Sequence, residues 1–521
     1  MNRTVNRSIE AFTRKPSRLN IAIDLNDQTK GFVPSYTTFD RIEGEVALQA
    51  DCQTKFDHID IIFEGSSKTI VQRQATMAPA SNDIKAMHPF LKLRQPIDES
   101  SYPEPREFKP RCLYKFPFTF VVPQQMLPQS CSHSTNNPHL KAAHIQLPPS
   151  LGDPMLASNG KTLLDDFAPQ MTEVSYRIRV VVMKRDPSGG KPQTLCSVAK
   201  KIRIVPASLE QPPLEVTCNC TDDYRTRMEK DVRKSLLGKK TGRLVMAAAQ
   251  PKPLQLPPPG EKQDCSISSH VTVHLRFDPE NDEQPPQLRS VWSKLRVMTF
   301  YSAHPWTTFP SKTVTMFWNS MQGMYSENVQ LSSLCVLSAQ WEQHTGVSAD
   351  TERRSSVESS ASSQTITGPS ASYSGKTFYT ASIIVPINLP KNKAFVPTFH
   401  SCLISRVYLL DLSLSYQSPN TRVIASSISL KVPVQITSVY RNNIAPVDAS
   451  ADPELSQMRI EEEFYRPRSI APPSLEYLEQ ASLRSGTSRR ESSLSELMGD
   501  TQGLDETSPP DYLTVTQSTQ G

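Results

Sequence analysis

The chain has 521 residues, of which 37% are hydrophobic and 21% are charged. This length suffices for about two or three ordinary cores, and the composition suits a soluble protein with substantial unstructured segments. The net charge of +5 permits weak attraction to an anionic membrane surface but gives no reason to expect nucleic acid as a partner. Because proline is frequent (44 residues) and glycine scarce (18 residues), a glycine-loop nucleotide enzyme is disfavoured.

The first part of the chain alternates apolar and polar residues with a period of two, which predicts β-strands with one buried face. After a flexible N-terminus at 1–17, we predict an all-β unit over 18–210. Pro117 lies inside one of the runs, so that strand is expected at a sheet edge or a bulge. The predicted strands lie near 42–48, 59–63, 116–122, 176–182 and 201–205. Two polar insertions, 76–110 and 129–170, are expected to be loops.

A linker is predicted at 211–238, with a short charged helix over 222–237, because Met228, Val232 and Leu236 recur at helical spacing. A second β-rich unit follows at 239–440, interrupted by a Ser-rich insertion at 345–375 that is expected to be disordered. Its predicted strands include 244–248, 271–277, 378–387, 408–416 and 428–436. Residues 441–521 lack apolar periodicity and are expected to form a disordered tail. The predicted fold class is therefore all-β, with two antiparallel β-sandwiches in tandem.

The nine cysteines are odd in number and scattered, and residues 1–20 contain no apolar segment typical of a secretory signal. No stretch is apolar enough to predict a membrane-spanning helix. We therefore expect a cytoplasmic protein with reduced cysteines. An extracellular adhesion protein built from tandem β-sandwiches would need the signal peptide and paired cysteines that this sequence does not display.

Motifs that carry catalysis or bind metals are not found in recognisable form. Gly375-Lys376-Thr377 resembles the end of a phosphate-binding loop, but position 370 is serine where glycine is required. His270 and His274 fall in a predicted strand, and Cys218 and Cys220 are too close together for a zinc-finger pair. We therefore predict no catalytic residue, no cofactor and no metal ligand. A hydrolase whose residues converge only in space is disfavoured, although sequence spacing alone does not detect such a site.

The sequence Pro509-Pro510-Asp511-Tyr512 has the PPxY form that WW domains bind. The two prolines favour polyproline II geometry, and the tyrosine follows at a spacing that suits a second pocket. With this composition a chance match is expected roughly 0.1 times. We therefore predict that Pro509, Pro510 and Tyr512 bind a WW domain. Pro472 to Tyr477 contains the same residue types at the wrong spacing.

Two basic clusters precede serines in segments that are expected to be disordered. Arg353-Arg354-Ser355-Ser356 and Arg489-Arg490-Glu491-Ser492 both have the Arg-Arg-x-Ser form that basophilic kinases accept. Ser356 and Ser492 are therefore candidate phosphorylation sites, because a phosphate would add charge and new hydrogen-bond acceptors there. The alternative is that each cluster is a solvated charge pair.

Several short segments, in this order along the chain, resemble the α-arrestins of fungi. In the first unit they include a Gly-x-Val-x-Leu strand within 36–49, a strand within 56–65 that ends in Phe-x-Gly, Phe116-Pro117-Phe118 with Pro123, and 174–182. In the second unit they are 250–254 and 396–408. The resemblance covers roughly residues 20–440, and a PPxY outside the lobes is also characteristic of this family. The long insertions and the single PPxY, where many relatives have two or more, depart from the family's pattern.

The resemblance implies a non-catalytic adaptor. Its lobes would recognise the cytoplasmic tails of transporters or receptors, and the PPxY would recruit a HECT-class ubiquitin ligase through its WW domains. Cargo would then be ubiquitinated and endocytosed, with the adaptor recruited from the cytoplasm to the plasma membrane or endosomes. The main alternative is an arrestin-like trafficking or sorting coat adaptor that recruits no ligase.

Overall fold

In a computed structural model, the described part of the chain is built almost entirely from antiparallel β-strands, which confirms the predicted all-β fold class. Two β-sandwiches follow each other along the chain, and we call them the N-lobe and the C-lobe. The structure describes residues 19–26, 33–72, 83–152, 164–185, 192–211, 223–234, 238–259, 267–317, 321–345, 368–371, 373–418, 425–441 and 516–517.

The N-lobe contains two sheets that enclose one apolar core. The smaller sheet has the order β1 (Leu19–Leu25), β3 (Arg41–Ala50) and β8 (Leu113–Val121). The larger sheet has the order β2 (Ser35–Tyr36), β10 (Gln193–Ile204), β9 (Thr172–Lys184), β5 (His58–Gln72) and β6 (Asp83–Gln95). A short pair, β4 (Thr54–Lys55) and β7 (Glu107–Phe108), lies apart from both sheets.

The alternation of the sequence produces the N-lobe core directly. In β3 every second residue from Ile42 to Ala50 is buried, while the residues between them are partly or fully exposed. Phe116, Phe118 and Phe120 are buried in the same manner on β8. β8 is the edge strand of its sheet, as Pro117 predicts, because a proline cannot donate to a further strand.

The C-lobe has the same construction around a second core. One sheet has the order β11 (Arg227–Arg233), β12 (Lys240–Ala248), β14 (Ser268–Pro279), β18 (Thr377–Asn388) and β17 (Glu342–Thr345). In the other, β16 (Gln322–Cys335) pairs with β15 (Gln287–Ser302), and β15 pairs with β20 (Ile404–Gln417). β19 (Phe399–His400) and β21 (Ser426–Val434) also pair with β20, and β13 (Leu254–Leu256) pairs with β22 (Ile436–Ser438).

The two lobes repeat one topology strand by strand. The order β1-β3-β8 corresponds to β12-β14-β18, and β6-β5-β9-β10 corresponds to β16-β15-β20-β21. Near the start of each lobe a short strand pairs in parallel with the final strand segment: β2 pairs with β10, and β13 pairs with β22. The equivalent strands also occur in the same order along the chain, so the C-lobe is a second copy of the N-lobe fold with β11 and β17 added at its edges.

The structure corrects three expectations about local structure. Residues 227–233, within the predicted helix, form strand β11 of the C-lobe. The predicted loop at 76–110 contains the 13-residue strand β6, with a 3-10 turn at Glu99–Ser101. The predicted loop at 129–170 contains helix α1 (Pro138–His144), preceded by a 3-10 turn at Pro128–Cys131. The remaining helix of the described chain is α2 (Lys312–Phe317).

Two further observations concern the segments that are predicted to be disordered. Most of the insertion at 345–375 lies outside the described residues, but Ser370 is buried and its amide donates to Asp278 Oδ2 at 2.8 Å. In the tail, β23 (Thr516–Gln517) pairs antiparallel with the edge strand β6, with Thr516 opposite Lys85.

Candidate functional site at the junction of the lobes

The site residues predicted from the sequence lie outside the described part of the chain. Pro509, Pro510, Tyr512, Ser356 and Ser492 all lie outside the described residues, as do Cys218 and Cys220. The two histidines considered at the sequence level, His270 and His274, lie in strand β14, as predicted, and neither is buried. Among the described residues, a buried arginine, an ion pair and a cluster of cysteines and histidines lie instead where the two lobes meet.

Apolar packing joins the lobes into one structure. The N-lobe core continues into C-lobe residues at the end of β15 and the start of β20, among them Tyr301, Leu403 and Ile404. In the other direction Leu140 of helix α1 is fully buried among Met298, Phe300, Trp306, Val407 and Leu409 of the C-lobe. Thr69 Oγ1 also donates to the Ser302 carbonyl at 2.8 Å. The junction is therefore built like a protein core rather than like a loose contact.

A buried arginine crosses this junction. Arg406 of β20 is fully buried, and its Nη1 donates to the carbonyl of Asp166 in the N-lobe at 2.9 Å. The Asp166 carboxylate accepts from the amides of Gly152 and Ala168, at 2.6 and 3.0 Å, which fixes this turn of the N-lobe. Nε and Nη2 of Arg406 are buried and have no hydrogen-bond partner among the described residues. Burial of the guanidinium costs desolvation energy. Arg406 therefore fixes the position of one lobe against the other more than it stabilises the junction.

An ion pair flanks the arginine. Lys393 Nζ of the C-lobe donates to Asp165 Oδ2 at 2.7 Å and lies 4.9 Å from the centre of the Phe167 ring. Burial alone would raise the pKa of Asp165, but the hydrogen bond and charge of Lys393 lower that pKa below its ordinary value of 3.8. The same hydrogen bond raises the pKa of Lys393. Both partners thus favour the charged state in the folded protein.

We expect this pair to stabilise the junction modestly. In a double-mutant cycle with Asp165→Asn and Lys393→Met, thermal or urea unfolding should give a coupling free energy of about 0.5–1 kcal/mol, because both side chains are partly solvated. Since the folded-state pKa of Asp165 is lowered, the coupling should be present above pH 3.8 and disappear as the pH falls through the lower folded value. A coupling that survives at pH 2, or in 1 M salt, would contradict this origin.

A cluster of sulfur and imidazole groups lies at the same junction. Cys131, His133 and His144 of the N-lobe and Cys402 of the C-lobe place four donor atoms within 4.8 Å of one another. His133 Nε2 is 3.1 Å from His144 Nδ1, and Cys131 Sγ is 3.6 Å and 3.8 Å from these two nitrogens. Cys131, His144 and Cys402 are buried, and His133 is half-buried. This is the chemistry of a four-ligand metal site.

Two further histidines, His88 and His400, lie close to this cluster. His88 is 2% exposed, with Nε2 2.9 Å from the Ser130 carbonyl, and His400 immediately precedes the turn that carries Cys402. Burial lowers the pKa of His88 and of His400 to about 4. The hydrogen bond between the two sulfurs lowers the pKa of Cys131 and raises that of Cys402.

Sequence reasoning missed this cluster because its members are far apart along the chain. The prediction of no metal ligand compared cysteines and histidines only with near neighbours, and Cys402 is separated from the other three by most of the C-lobe. The available signal was the run Cys131, His133 and His144, which contributes three donors within one insertion. Four of the ten histidines, His88, His133, His144 and His400, gather in this region.

A small cavity opens beside the cluster and is lined by both lobes, including Gln146, Pro206, Thr398, His400 and Tyr440. Its volume of about 60 Å³ is enough for a few water molecules. Small-molecule sites usually have volumes of about 300–1,000 Å³. The cavity is therefore too small to bind an organic ligand or a peptide.

Residues 312–439 match the family model described as the Bul1 C terminus. The matched segment runs from helix α2 to strand β22, so it covers the second half of the C-lobe and includes Lys393, Cys402 and Arg406. The match does not include the N-lobe.

A search of curated proteins found a distant relative, "Bypass of stop codon protein 5" of Saccharomyces cerevisiae. The two sequences are 23% identical over an alignment of 215 residues, which covers 34% of this chain and 44% of the yeast protein. The chain thus spans less than half of the length of this relative. No helix among the described residues is long and apolar enough to cross a membrane.

Proposed function

We propose that the chain is a non-catalytic adaptor that recruits a WW-domain ubiquitin ligase of the HECT class to membrane-protein cargo. The observation that carries the proposal is a PPxY motif, Pro509-Pro510-Asp511-Tyr512, that follows two β-sandwich lobes of one repeated topology. The similarity of the second lobe to the Bul1 C terminus supports an adaptor of the arrestin-related type.

The physical basis of such an adaptor is effective concentration. A protein that binds ligase with one segment and cargo with another holds both together, so that the ligase meets the cargo at an effective concentration set by the connecting chain. The more than sixty residues between Arg441 and Pro509 supply such a connection. No catalytic residue of the adaptor itself is required.

The cargo side of the proposal assigns recognition to the lobes. Cytoplasmic tails of transporters or receptors are the proposed cargo, and the weakly basic net charge of +5 is compatible with brief contact with an anionic membrane surface. We propose recruitment from the cytoplasm to the plasma membrane or to endosomes. Ser356 and Ser492 remain candidate phosphorylation sites at which a kinase would change the charge of the segments around the lobes.

The decisive variant is Tyr512→Ala. A lone PPxY segment is expected to bind a WW domain at about micromolar strength, near −8 kcal/mol. The tyrosine ring is a buried anchor in such a complex, so its loss should cost about 2 kcal/mol, or roughly thirtyfold in Kd. Isothermal calorimetry of the full chain against isolated WW domains measures this directly, and affinity purification from cells reports the loss of the ligase.

Tyr477→Ala provides the matched control. This tyrosine also follows a Pro-Pro pair, Pro472-Pro473, but at a spacing that does not fit a WW groove, so its replacement should leave the Kd unchanged. If the Tyr512→Ala protein binds WW domains as tightly as the unmodified protein, ligase recruitment through this motif is refuted. A protein that retains cargo binding but never recruits a ligase would instead support a sorting or coat adaptor.

A further inference from the structure

We propose that Cys131, His133, His144 and Cys402 bind one Zn²⁺ ion that joins the two lobes. Three of the ligands belong to the N-lobe and the fourth to the C-lobe. The ligand set is Cys₂His₂, which is typical of structural zinc sites, in which all four positions of a tetrahedron are filled by protein. This inference is independent of whether the chain recruits a ligase.

The distances among the three N-lobe donors fit one face of a tetrahedron, and Cys402 Sγ lies within 4.8 Å of each of them. With Zn–S bonds of about 2.3 Å and Zn–N bonds of about 2.0–2.1 Å, the donor atoms of a tetrahedral site lie about 3.3–3.8 Å apart. The observed separations are 3.1 Å for His133 Nε2 to His144 Nδ1, 3.6 Å for Cys131 Sγ to His133 Nε2, and 3.8 Å for Cys131 Sγ to His144 Nδ1. Adjustments of a few tenths of an ångström would place these donors around one ion.

Charge balance also favours a divalent ion with this ligand set. Two thiolates and two neutral imidazoles carry a total charge of −2, so one Zn²⁺ gives a neutral centre. A neutral centre avoids the large desolvation penalty that a net charge would incur among residues as buried as Cys131, His144 and Cys402. The His144 ring presents Nδ1 to Cys131 Sγ and to His133 Nε2, as a ligand of the same ion would.

The backbone holds the ligands in place through contacts that do not depend on an ion. His144 is the last residue of helix α1, whose N-terminus is capped by Asn137 and whose end is fixed by the Met126 amide, which donates to the Ile145 carbonyl at 2.7 Å. Cys402 lies in the turn between β19 and β20, and its carbonyl accepts from the Trp306 amide at 2.9 Å. Asn136, between His133 and α1, donates to the Thr307 carbonyl of the C-lobe at 2.8 Å. The site is therefore preorganised across the junction.

The alternative chemistry for this cluster is a disulfide between Cys131 and Cys402, with no metal. The two outcomes differ in composition: zinc binding leaves both sulfurs as thiolates, whereas the disulfide removes two electrons and two protons and leaves no sulfur ligand.

The ligand set also decides which metal is expected. Two sulfur and two nitrogen donors in a tetrahedron favour zinc over metals that prefer six oxygen ligands or a square plane.

The test is the metal content of the full-length chain, purified without a metal-affinity step and dialysed against metal-free buffer. Elemental analysis should give one zinc per chain, and Cys131→Ser and Cys402→Ser should each lose it. Cys112→Ser and Cys335→Ser, which change exposed cysteines, and His139→Ala, which changes an exposed histidine of α1, should retain one zinc. Removal of the metal with a chelator should lower the melting temperature of the unmodified protein but not of the Cys402→Ser protein.

A second measurement remains informative if the cysteine variants fail to fold. Replacement of the metal by Co²⁺ in the unmodified protein should give the intense visible bands of tetrahedral cobalt together with sulfur-to-cobalt charge transfer. Unmodified protein that contains no zinc and takes up no cobalt would overturn the proposal. A peptide disulfide linking Cys131 to Cys402 in protein digested without reduction would overturn it as well.

Discussion

Replacing Phe63 with alanine is expected to lower the free energy of unfolding by about 3–5 kcal/mol. Phe63 lies on the central strand β5, where it is fully buried, and its ring packs 5.8 Å from that of Phe120 and 6.1 Å from that of Tyr176. Because Leu93 and Ile178 flank it on both neighbouring strands, the surrounding backbone cannot collapse into the space that the ring leaves. The cost of the empty cavity therefore adds to the free energy of burial that is lost with the phenyl ring.

Thermal unfolding of the full-length chain measures this effect. For a lobe of about 200 residues, a loss of this size corresponds to a melting temperature lower by roughly 6–20 °C. Phe63→Leu, which keeps most of the apolar volume, should cost only about 1 kcal/mol. Equal melting temperatures for the alanine and leucine variants would show that β5 does not carry the core that the structure assigns to it.

Leu140→Asp is expected to undock helix α1 from the C-lobe. The leucine is fully buried against five apolar residues of that lobe, so an aspartate there would be a buried carboxylate without a partner, at a cost of at least about 3 kcal/mol. Lys141, the next residue, is exposed on the same helix and is a cleavage site for trypsin. Since cleavage requires local opening, the rate of cleavage after Lys141 should rise about a hundredfold.

His139→Asp is the matched control for this experiment. It introduces the same charge one residue earlier, at an exposed position of α1, and should leave the cleavage rate close to that of the unmodified protein. Mass spectrometry of the fragments identifies the cleaved bond. If the Leu140→Asp protein is cleaved as slowly as the control, the packing of α1 does not hold the lobes together.

The strands that sequence patterns predict well are those with one face in the core and one in water. β3, β5, β8 and β9 all show this alternation, and each is present in the structure near its predicted place. β15 was missed because register shifts near Ser290 and Lys294 interrupt its alternation, and its last residues are buried on both faces where the N-lobe packs against them. Such a strand has no period of two to detect.

The predicted helix at 222–237 was wrong for a different reason. Met228 and Val232 are four residues apart, a spacing that puts two residues on one face of a helix and also on one face of a strand. The structure uses the second arrangement, with Met228 opposite Met246 and Val232 opposite Gly242 in strand β12. Tertiary pairing decided between two patterns that the spacing alone does not distinguish.

The candidate site was less predictable than the fold, because the fold depends on local periodicity and the site does not. Cys402 meets Cys131 only after both lobes have formed and packed together, and no rule about short spacings detects that encounter. Arg406 gives a comparable example: its position in an apolar run predicts a strand but not a buried guanidinium that donates to the carbonyl of Asp166. Conversely, the PPxY was readable from the sequence because it needs no folded context, and its binding remains a prediction.

The parallel pairing that closes each lobe has a consequence for synthesis on the ribosome. Ser35 and Tyr36 pair with Arg203 and Ile204, and Leu254 to Leu256 pair with Ile436 to Ser438. A growing chain therefore carries each lobe with an open edge and a partly exposed core until nearly all of that lobe has left the exit tunnel. At translation rates of about 5–20 residues per second, the nascent N-lobe waits on the order of ten seconds or more in this state. Chaperones that bind exposed apolar surface and open strand edges are expected to protect each nascent lobe during that interval.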